Sequence, residues 1–252
     1  MSALFVTGTD TGVGKTLVTA GIAAALRARG AAVGVAKPTE TGCRREAGGL
    51  YAEDAATLAA AVEAREPLDE ICPWRFADPL APALAAERSG AAIDVDALVE
   101  TLRRRGRTYD LLLIEGAGGL LVPLRERTTY ADVAAALGAP VLVVVGSRLG
   151  AINATLLTLE VLAARGIAVA GYVVNRIAPS PDLAAATNGA LLRRATPARC
   201  LGELPWVPDA AALLGALRRG GAPAATARAT LAALATTHLD LDAVSGSARA
   251  RE

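Results

Sequence analysis

Short apolar runs rich in leucine and β-branched residues recur along the chain, each followed by a longer alanine-rich segment whose apolar positions repeat at helical spacing. The runs at residues 3–7, 32–37, 109–115, 140–145 and 169–174, with a weaker one at 199–204, read as strands. Most are apolar throughout rather than alternating, so helices are expected over both faces of the sheet. Helices are expected at 15–29, 53–63, 95–105, 130–137, 152–165 and 181–194, with two more between 209 and 234. Gly30, Gly138 and Gly166 stand just past three of these segments, where glycine commonly ends a helix. This alternation predicts a doubly wound α/β fold with a mainly parallel sheet. Residues 42–49 and 67–82 break the rhythm with prolines, glycines and charges and read as insertions over the active face or as long surface loops. From about residue 240 the periodicity fades while Ser, Gly and Arg accumulate. One domain over 1–239 and a frayed tail over 240–252 are therefore expected.

Composition narrows the chemistry. At 252 residues and 53% hydrophobic content the chain can bury one sizeable core. Lys and Arg total 26 against 25 Asp and Glu, so no net field draws in nucleic acid or an anionic membrane, and a small-molecule partner is expected. No apolar stretch reaches the roughly 18 uncharged residues of a spanning helix. The N-terminus runs directly into a strand pattern without the flanks of a signal peptide. Cys43, Cys72 and Cys200 lie far apart without C-x-x-C spacing, which fits a reducing, cytoplasmic setting better than a disulfide or metal framework. The single histidine, His238, lies in a polar region and is expected at the surface; Ser-His-Asp triads and histidine-rich metal sites have nothing to build on.

The strongest motif is GTDTGVGKT at 8–16, which matches G-x-x-x-x-G-K-[ST] directly after an apolar strand and before an amphipathic helix, the setting of a P-loop NTPase. Glycines let successive N–H groups point at phosphate, and the helix adds its positive end. Gly12, Val13 and Gly14 would then cradle a nucleotide, Lys15 would bridge its terminal phosphates, and the Thr16 hydroxyl would ligate Mg²⁺. Glu115 ends the run DLLLIE at 110–115, at the carboxyl edge where ligands bind in open α/β sheets. A carboxylate buried there needs a positive partner, and Mg²⁺ supplies one. Gly116, Gly118 and Gly119 follow, either for close backbone approach to a ligand or for a tight turn. Lys37 ends the second strand in KPTETG, on the same edge as Lys15, so two lysines converge on more negative charge than a nucleotide alone brings.

These motifs, with EGAGGLLVPL at 115–124, GSRLGAIN at 146–153, VVN at 173–175 and GELPW at 202–206, resemble the dethiobiotin synthetase family in order and spacing over nearly all of the chain to about residue 206. The resemblance implies ATP- and Mg²⁺-dependent joining of CO₂ to 7,8-diaminononanoate and closure of the ureido ring, in a cytoplasmic homodimer. It implies catalytic roles for Lys37, Lys15 and Thr11, and substrate contacts from Thr41, Gly118, Gly150 and Asn153, the last two on a stretch that reaches a substrate carboxylate across the dimer interface. It also implies that Asp54 joins Thr16 and Glu115 at the metal, and that Asn175 and Pro205 attend the adenine; by position alone Asp54 reads as a helix-start acid favoured by the dipole. Gly12 stands where some relatives carry glutamate, and the region after Trp206 is longer and richer in alanine than the resemblance leads one to expect.

Three other readings fit less well. Partition and cell-positioning ATPases share the strand-loop-helix start but carry a signature lysine where this chain has Asp10. Amidase-type relatives need a glutaminase domain with a nucleophilic cysteine and a histidine, for which 252 residues and one histidine leave no room. A nucleotide-binding switch would use Lys15, Thr16 and Glu115 but not Lys37 or Thr41.

Overall fold

The structure is a computed structural model that describes residues 2–180 and 182–249. In chain order the first half holds β1 (Ala3–Gly8), α1 (Lys15–Ala28), β2 (Val33–Ala36), β3 (Thr39–Thr41), β4 (Arg44–Glu46), β5 (Gly49–Tyr51), α2 (Glu53–Val62), α3 (Leu68–Ile71), β6 (Trp74–Phe76), α4 (Pro82–Arg88) and α5 (Val95–Arg105). The second half holds β7 (Leu111–Gly119), β8 (Pro123–Arg125), β9 (Thr128–Thr129), α6 (Tyr130–Leu137), β10 (Val141–Ser147), α7 (Ala151–Ala164), β11 (Val169–Arg176), α8 (Leu183–Ala195), β12 (Cys200–Leu204), α9 (Ala210–Arg219), α10 (Gly221–His238) and α11 (Leu241–Arg249).

Six strands pair in parallel in the order β12-β11-β10-β1-β7-β2. They are the six runs read from the sequence, and the doubly wound α/β class stands. Alternate residues of each strand enter opposite layers. Leu4, Val6, Leu111, Leu113, Leu142 and Val144 pack with α1, α2, α10 and α11, whereas Phe5, Leu112, Ile114, Val141 and Val143 pack with α5, α6 and α7. Strands buried on both faces need no polar alternation, which is why the runs are apolar throughout. From β1 the chain moves to one side of the sheet for β2 and β7, then to the other for β10, β11 and β12. The carboxyl ends of β1 and its neighbours are thus the switch point where a doubly wound sheet opens a crevice.

The sequence-expected ends of several elements shift. The strand expected at 109–115 continues to Gly119, and Gly8 of β1 pairs with Gly119 after a register shift. Of the helix expected at 181–194, Pro181 lies outside the described residues; α8 starts at Leu183, where the Asp182 side chain accepts a hydrogen bond from the Ala185 N–H at 2.6 Å. Of the two irregular stretches, 42–49 contributes the exposed β4 and the first residue of β5, which pair antiparallel, whereas 67–82 supplies α3 and β6, and β6 lies parallel to β3. His238 is exposed, as expected.

The tail expected to fray from residue 240 does not do so over its described part. Helix α11 buries Leu241, Val244 and Ala248 in the same layer as α1 and α10. Asp242 pairs with Arg29 at 2.8 Å, and the Asp240 side chain accepts from the Ala243 N–H at 2.9 Å. Residues 241, 244 and 248 form one helical stripe, masked in the sequence by the intervening Ser, Gly and Asp. Residues 250–252 of that expectation lie outside the described residues. Leu241→Ala should therefore cost about 2–4 kcal/mol, the usual range for a buried leucine. Urea unfolding measures this, and an unchanged midpoint would mean that α11 is not part of the core.

Candidate active site

The loop between β1 and α1 wraps around its own glycines. Gly14 has φ 87° and starts α1 in the left-handed conformation. A Cβ there would stand 2.2 Å from Asn175 Nδ2, so the close approach of β11 to the loop requires glycine. Asn175, at the carboxyl end of β11, donates from Nδ2 to the Val13 carbonyl at 2.9 Å and holds the loop against the sheet. The Val13 side chain is buried in the core, so its share in the cradle is its backbone. Lys15 donates from Nζ to the Asp10 carbonyl at 3.0 Å, curling back over the loop.

Beneath the loop lies a charge cluster. Glu115, on β7, is completely buried. Its Oε1 accepts from Lys37 Nζ at 2.7 Å and from Thr16 Oγ1 at 2.9 Å. Lys37 also donates to Asp54 Oδ2 at 2.8 Å, bringing the first turn of α2 to the same point. Lys37 follows β2 directly, and its backbone N–H donates to the Ile71 carbonyl at 2.9 Å, so strand and loop together fix the ammonium. Burial works against the charge of Lys37, but the attraction of Glu115, Asp54 and Glu40 prevails and holds its pKa well above the ordinary value. Lys15 goes the other way: burial first, then repulsion from Lys37, lowers its pKa to about 8. A polyphosphate placed on it would reverse that shift, because an anion favours the charged form. Burial opposes the charge of Asp54 too, yet Lys37 keeps its pKa below the usual carboxylate range.

A cavity of about 910 Å³ opens over this cluster. Thr11, Gly12, Gly14, Lys15 and Thr16 form its floor; Lys37, Thr41, Asp54 and Gly118 line one end. Gly118 stands in the bend of its own segment. It has φ 69°, and a Cβ on it would lie 3.6 Å from Thr11 Oγ1 and 2.8 Å from Val122 Cγ2. The other end is walled by Asn175, Ile177, Trp206, Val207, Ala210, Ala211 and Leu214. Pro205 is not part of this wall; its neighbours Trp206 and Val207 are. Asn175 Oδ1 is buried with no hydrogen-bond partner among the described residues, an acceptor at the edge of an apolar slot.

The donor set fits a hard divalent cation. Glu115 Oε2 is buried and has no partner among the described residues, while Thr16 meets Glu115 at Oε1 and Lys37 links that oxygen to Asp54. Two carboxylates and a hydroxyl are few ligands, which suits Mg²⁺, an ion that keeps several waters and takes the remainder from phosphate. Gly150 and Asn153 do not line the cavity of their own chain. They sit at the exposed start of α7, beyond an ion pair between Arg148 and Asp10.

Comparison with known proteins shows where this arrangement recurs. A family model described as an AAA domain matches residues 2–212. An ATP-dependent dethiobiotin synthetase BioD of Anaeromyxobacter sp. (strain K) is 48% identical over 212 residues, covering 84% of this chain and 93% of the relative. The enzyme of the same title from Mycobacterium sp. (strain JLS) is 46% identical over 203 residues, covering 79% of this chain and 86% of its own length. The chain belongs to the dethiobiotin synthetase family.

Solved structures extend the likeness to the fold alone. A chain of the MinC:MinD cell division protein complex of Aquifex aeolicus superposes with a TM-score of 0.57 at 19% identity, covering 99% of this chain and 95% of that one. A ParA family ATPase from Chlorobium tepidum superposes at 0.56 with 10% identity, covering 99% and 100%. Within the dethiobiotin synthetase family, then, the site is built on a scaffold shared with P-loop ATPases of other kinds.

Two groups of site residues escaped the sequence reading. Glu40 lines the cavity and binds the start of α2; its signal was a carboxylate inside an otherwise buried segment, KPTETG. Ala210, Ala211 and Leu214 wall the apolar end, and their spacing marks one face of a helix. Gly14→Ala should push Asn175 away and strain a left-handed position, weakening ADP binding at least about tenfold, that is by 1.4 kcal/mol or more. Calorimetric titration with ADP, beside a circular dichroism check of folding, measures this; unchanged affinity would refute the close-packed cradle.

Proposed function

We propose that this chain catalyses the ATP- and Mg²⁺-dependent carboxylation and ring closure of 7,8-diaminononanoate, giving dethiobiotin, ADP and phosphate in biotin biosynthesis. The carrying observation is that Lys15 and Lys37 meet in one cavity with Thr11 and Thr41, beside two carboxylates and a hydroxyl. A nucleotide switch has no use for Lys37 or Thr41 there.

The reaction begins when one substrate amine adds to CO₂, loses a proton and becomes a carbamate. A carbamate oxygen then takes the γ-phosphoryl group and ADP departs. The neighbouring amine attacks the carbonyl carbon of this mixed anhydride, loses its proton and expels phosphate, closing the ureido ring. Negative charge gathers first at phosphoryl transfer and again at ring closure. Lys15 and Lys37 face it from both sides, a preorganised electrostatic role. Thr11 and Thr41 offer hydroxyl hydrogen bonds to the carbamate and the diamine. Gly12, Val13 and Gly14 present backbone N–H groups to the phosphates, and Asn175 Oδ1 accepts from the adenine amino group. Trp206 and Val207, beside Pro205, cover the base. Thr16, Asp54 and Glu115 would hold Mg²⁺, which supplies charge neutralisation on the phosphates.

A homodimer belongs to the same reading. Leu149, just before α7, is 81% exposed and Leu157, one turn beyond Asn153 on α7, is 58% exposed, so Gly150 and Asn153 would serve the partner's cavity across a surface that includes these leucines. The cytoplasm is the compartment proposed. Among the described residues no helix is long and apolar enough to cross a membrane.

Purified protein supplied with the diamine, bicarbonate, Mg²⁺ and ATP should yield dethiobiotin, detected by mass, together with diamine-dependent ADP; chelating Mg²⁺ should stop both. ADP without diamine dependence would overturn the substrate assignment. Lys37→Gln should cut dethiobiotin formation at least about 100-fold, the usual effect of losing one preorganised charge, while ADP binding persists. Retained product formation would speak for the switch. Sedimentation should find a species of twice the chain mass; a monomer at assay concentration would sink the shared-site reading.

A further inference from the structure

We propose that Glu40 is a positioning residue: it sets the first turn of α2 so that the Asp54 carboxylate meets the metal ion. This role rests on the metal site described under the proposed function. The N–H groups at the start of a helix have no partner within the helix and need an outside acceptor. The residue that should supply one here, Ala52, has no acceptor on its side chain. Glu40 replaces it from a distance of fourteen residues. Its Oε1 accepts from the Asp54 N–H at 2.9 Å, and its Oε2 accepts from the Ala55 N–H at 3.0 Å. The side chain is 7% exposed, so the carboxylate is given over to this contact.

The arrangement links three parts of the site. Glu40 lies on β3 between Lys37 and Thr41, so one short segment carries the second lysine, the substrate-side hydroxyl and the cap of the metal-side helix. The Asp54 side chain is itself 44% exposed and is held by Lys37 at 2.8 Å rather than by packing. Where α2 begins decides whether it reaches that point. The far end of α2 is held separately, by Arg228 donating to the Ala60 carbonyl at 3.1 Å and pairing with Glu63 at 3.0 Å. Removing the Glu40 carboxylate leaves the helix docked at that end and loosened at the end that carries Asp54. Arg218 also pairs with Glu53 at this end, but it reaches the side chain of the first residue and leaves the N–H groups uncapped.

The test uses Mn²⁺ as the probe, its binding to protein with ADP followed by electron paramagnetic resonance, and ADP affinity in excess EDTA followed by calorimetry. Glu40→Ala should raise the Mn²⁺ dissociation constant about tenfold, within the range expected for a lost helix cap, while metal-free ADP binding stays within about twofold. Glu40→Gln keeps one acceptor and should fall between. Adding Ala52→Ser to Glu40→Ala restores a local acceptor and should recover part of the lost Mn²⁺ affinity, which a role in packing alone would not. Should Glu40→Ala fail to fold, Glu40→Gln carries the same comparison. Unchanged Mn²⁺ affinity in the variants, or equal loss of metal-free ADP binding, would overturn the role. If the unaltered protein with ADP binds no Mn²⁺, the metal site falls and this role with it.

Discussion

A carboxylate with no exposure, at the carboxyl end of an interior strand, can persist only if opposite charge comes to it. Glu115 is that group, and the active end of the molecule is arranged around its neutralisation. Lys37 reaches it from the end of β2 at 2.7 Å and Thr16 from the start of α1 at 2.9 Å. Removing one partner of such a buried pair typically costs about 3–5 kcal/mol, so the three elements are tied far more firmly than a surface ion pair could tie them. Lys37 then carries the constraint outward to Asp54 on α2. Lys15 lies beside it: burial, then repulsion from Lys37, outweigh the attraction of Glu115, Asp54 and Asp10 and lower its pKa to about 8. Folding and phosphate recognition share one electrostatic balance.

How legible this was in the sequence depended on whether the information was local. The six strands were readable because a parallel sheet covered on both faces demands continuous apolar runs. The phosphate loop was readable because its glycines, lysine and threonine act within nine consecutive residues. Tertiary contacts were not readable. Nothing near Glu40 in the sequence says that it will cap a helix fourteen residues on. Nothing near Asn175 says that its side chain will reach Val13, 162 residues earlier, across the sheet. The residues after 240 were misread because their stripe rests on three positions, Leu241, Val244 and Ala248, diluted by small and polar neighbours. Their burial is paid for by α1 and the sheet, which no local window contains. The base-side wall lies one step further along than Pro205, because the chain turns there and presents Trp206, Val207 and α9 to the cavity.

The likeness to MinD and ParA shows that this scaffold alone does not decide what the site does. One difference from the pattern expected of partition ATPases lies at position 10. The reading of partition ATPases places a signature lysine there, whereas Asp10 here forms an ion pair with Arg148 just before α7. Both side chains are about half exposed, so the pair itself is worth under about 1 kcal/mol and does not hold the loop by strength. Its importance lies in sign. A lysine at position 10 would face Arg148 and would replace the attraction of Asp10 for Lys15 with repulsion. An acid at position 10 thus favours the charge of Lys15. The second lysine of the cavity, Lys37, follows β2 inside the same chain, where Glu115 holds it in place at 2.7 Å.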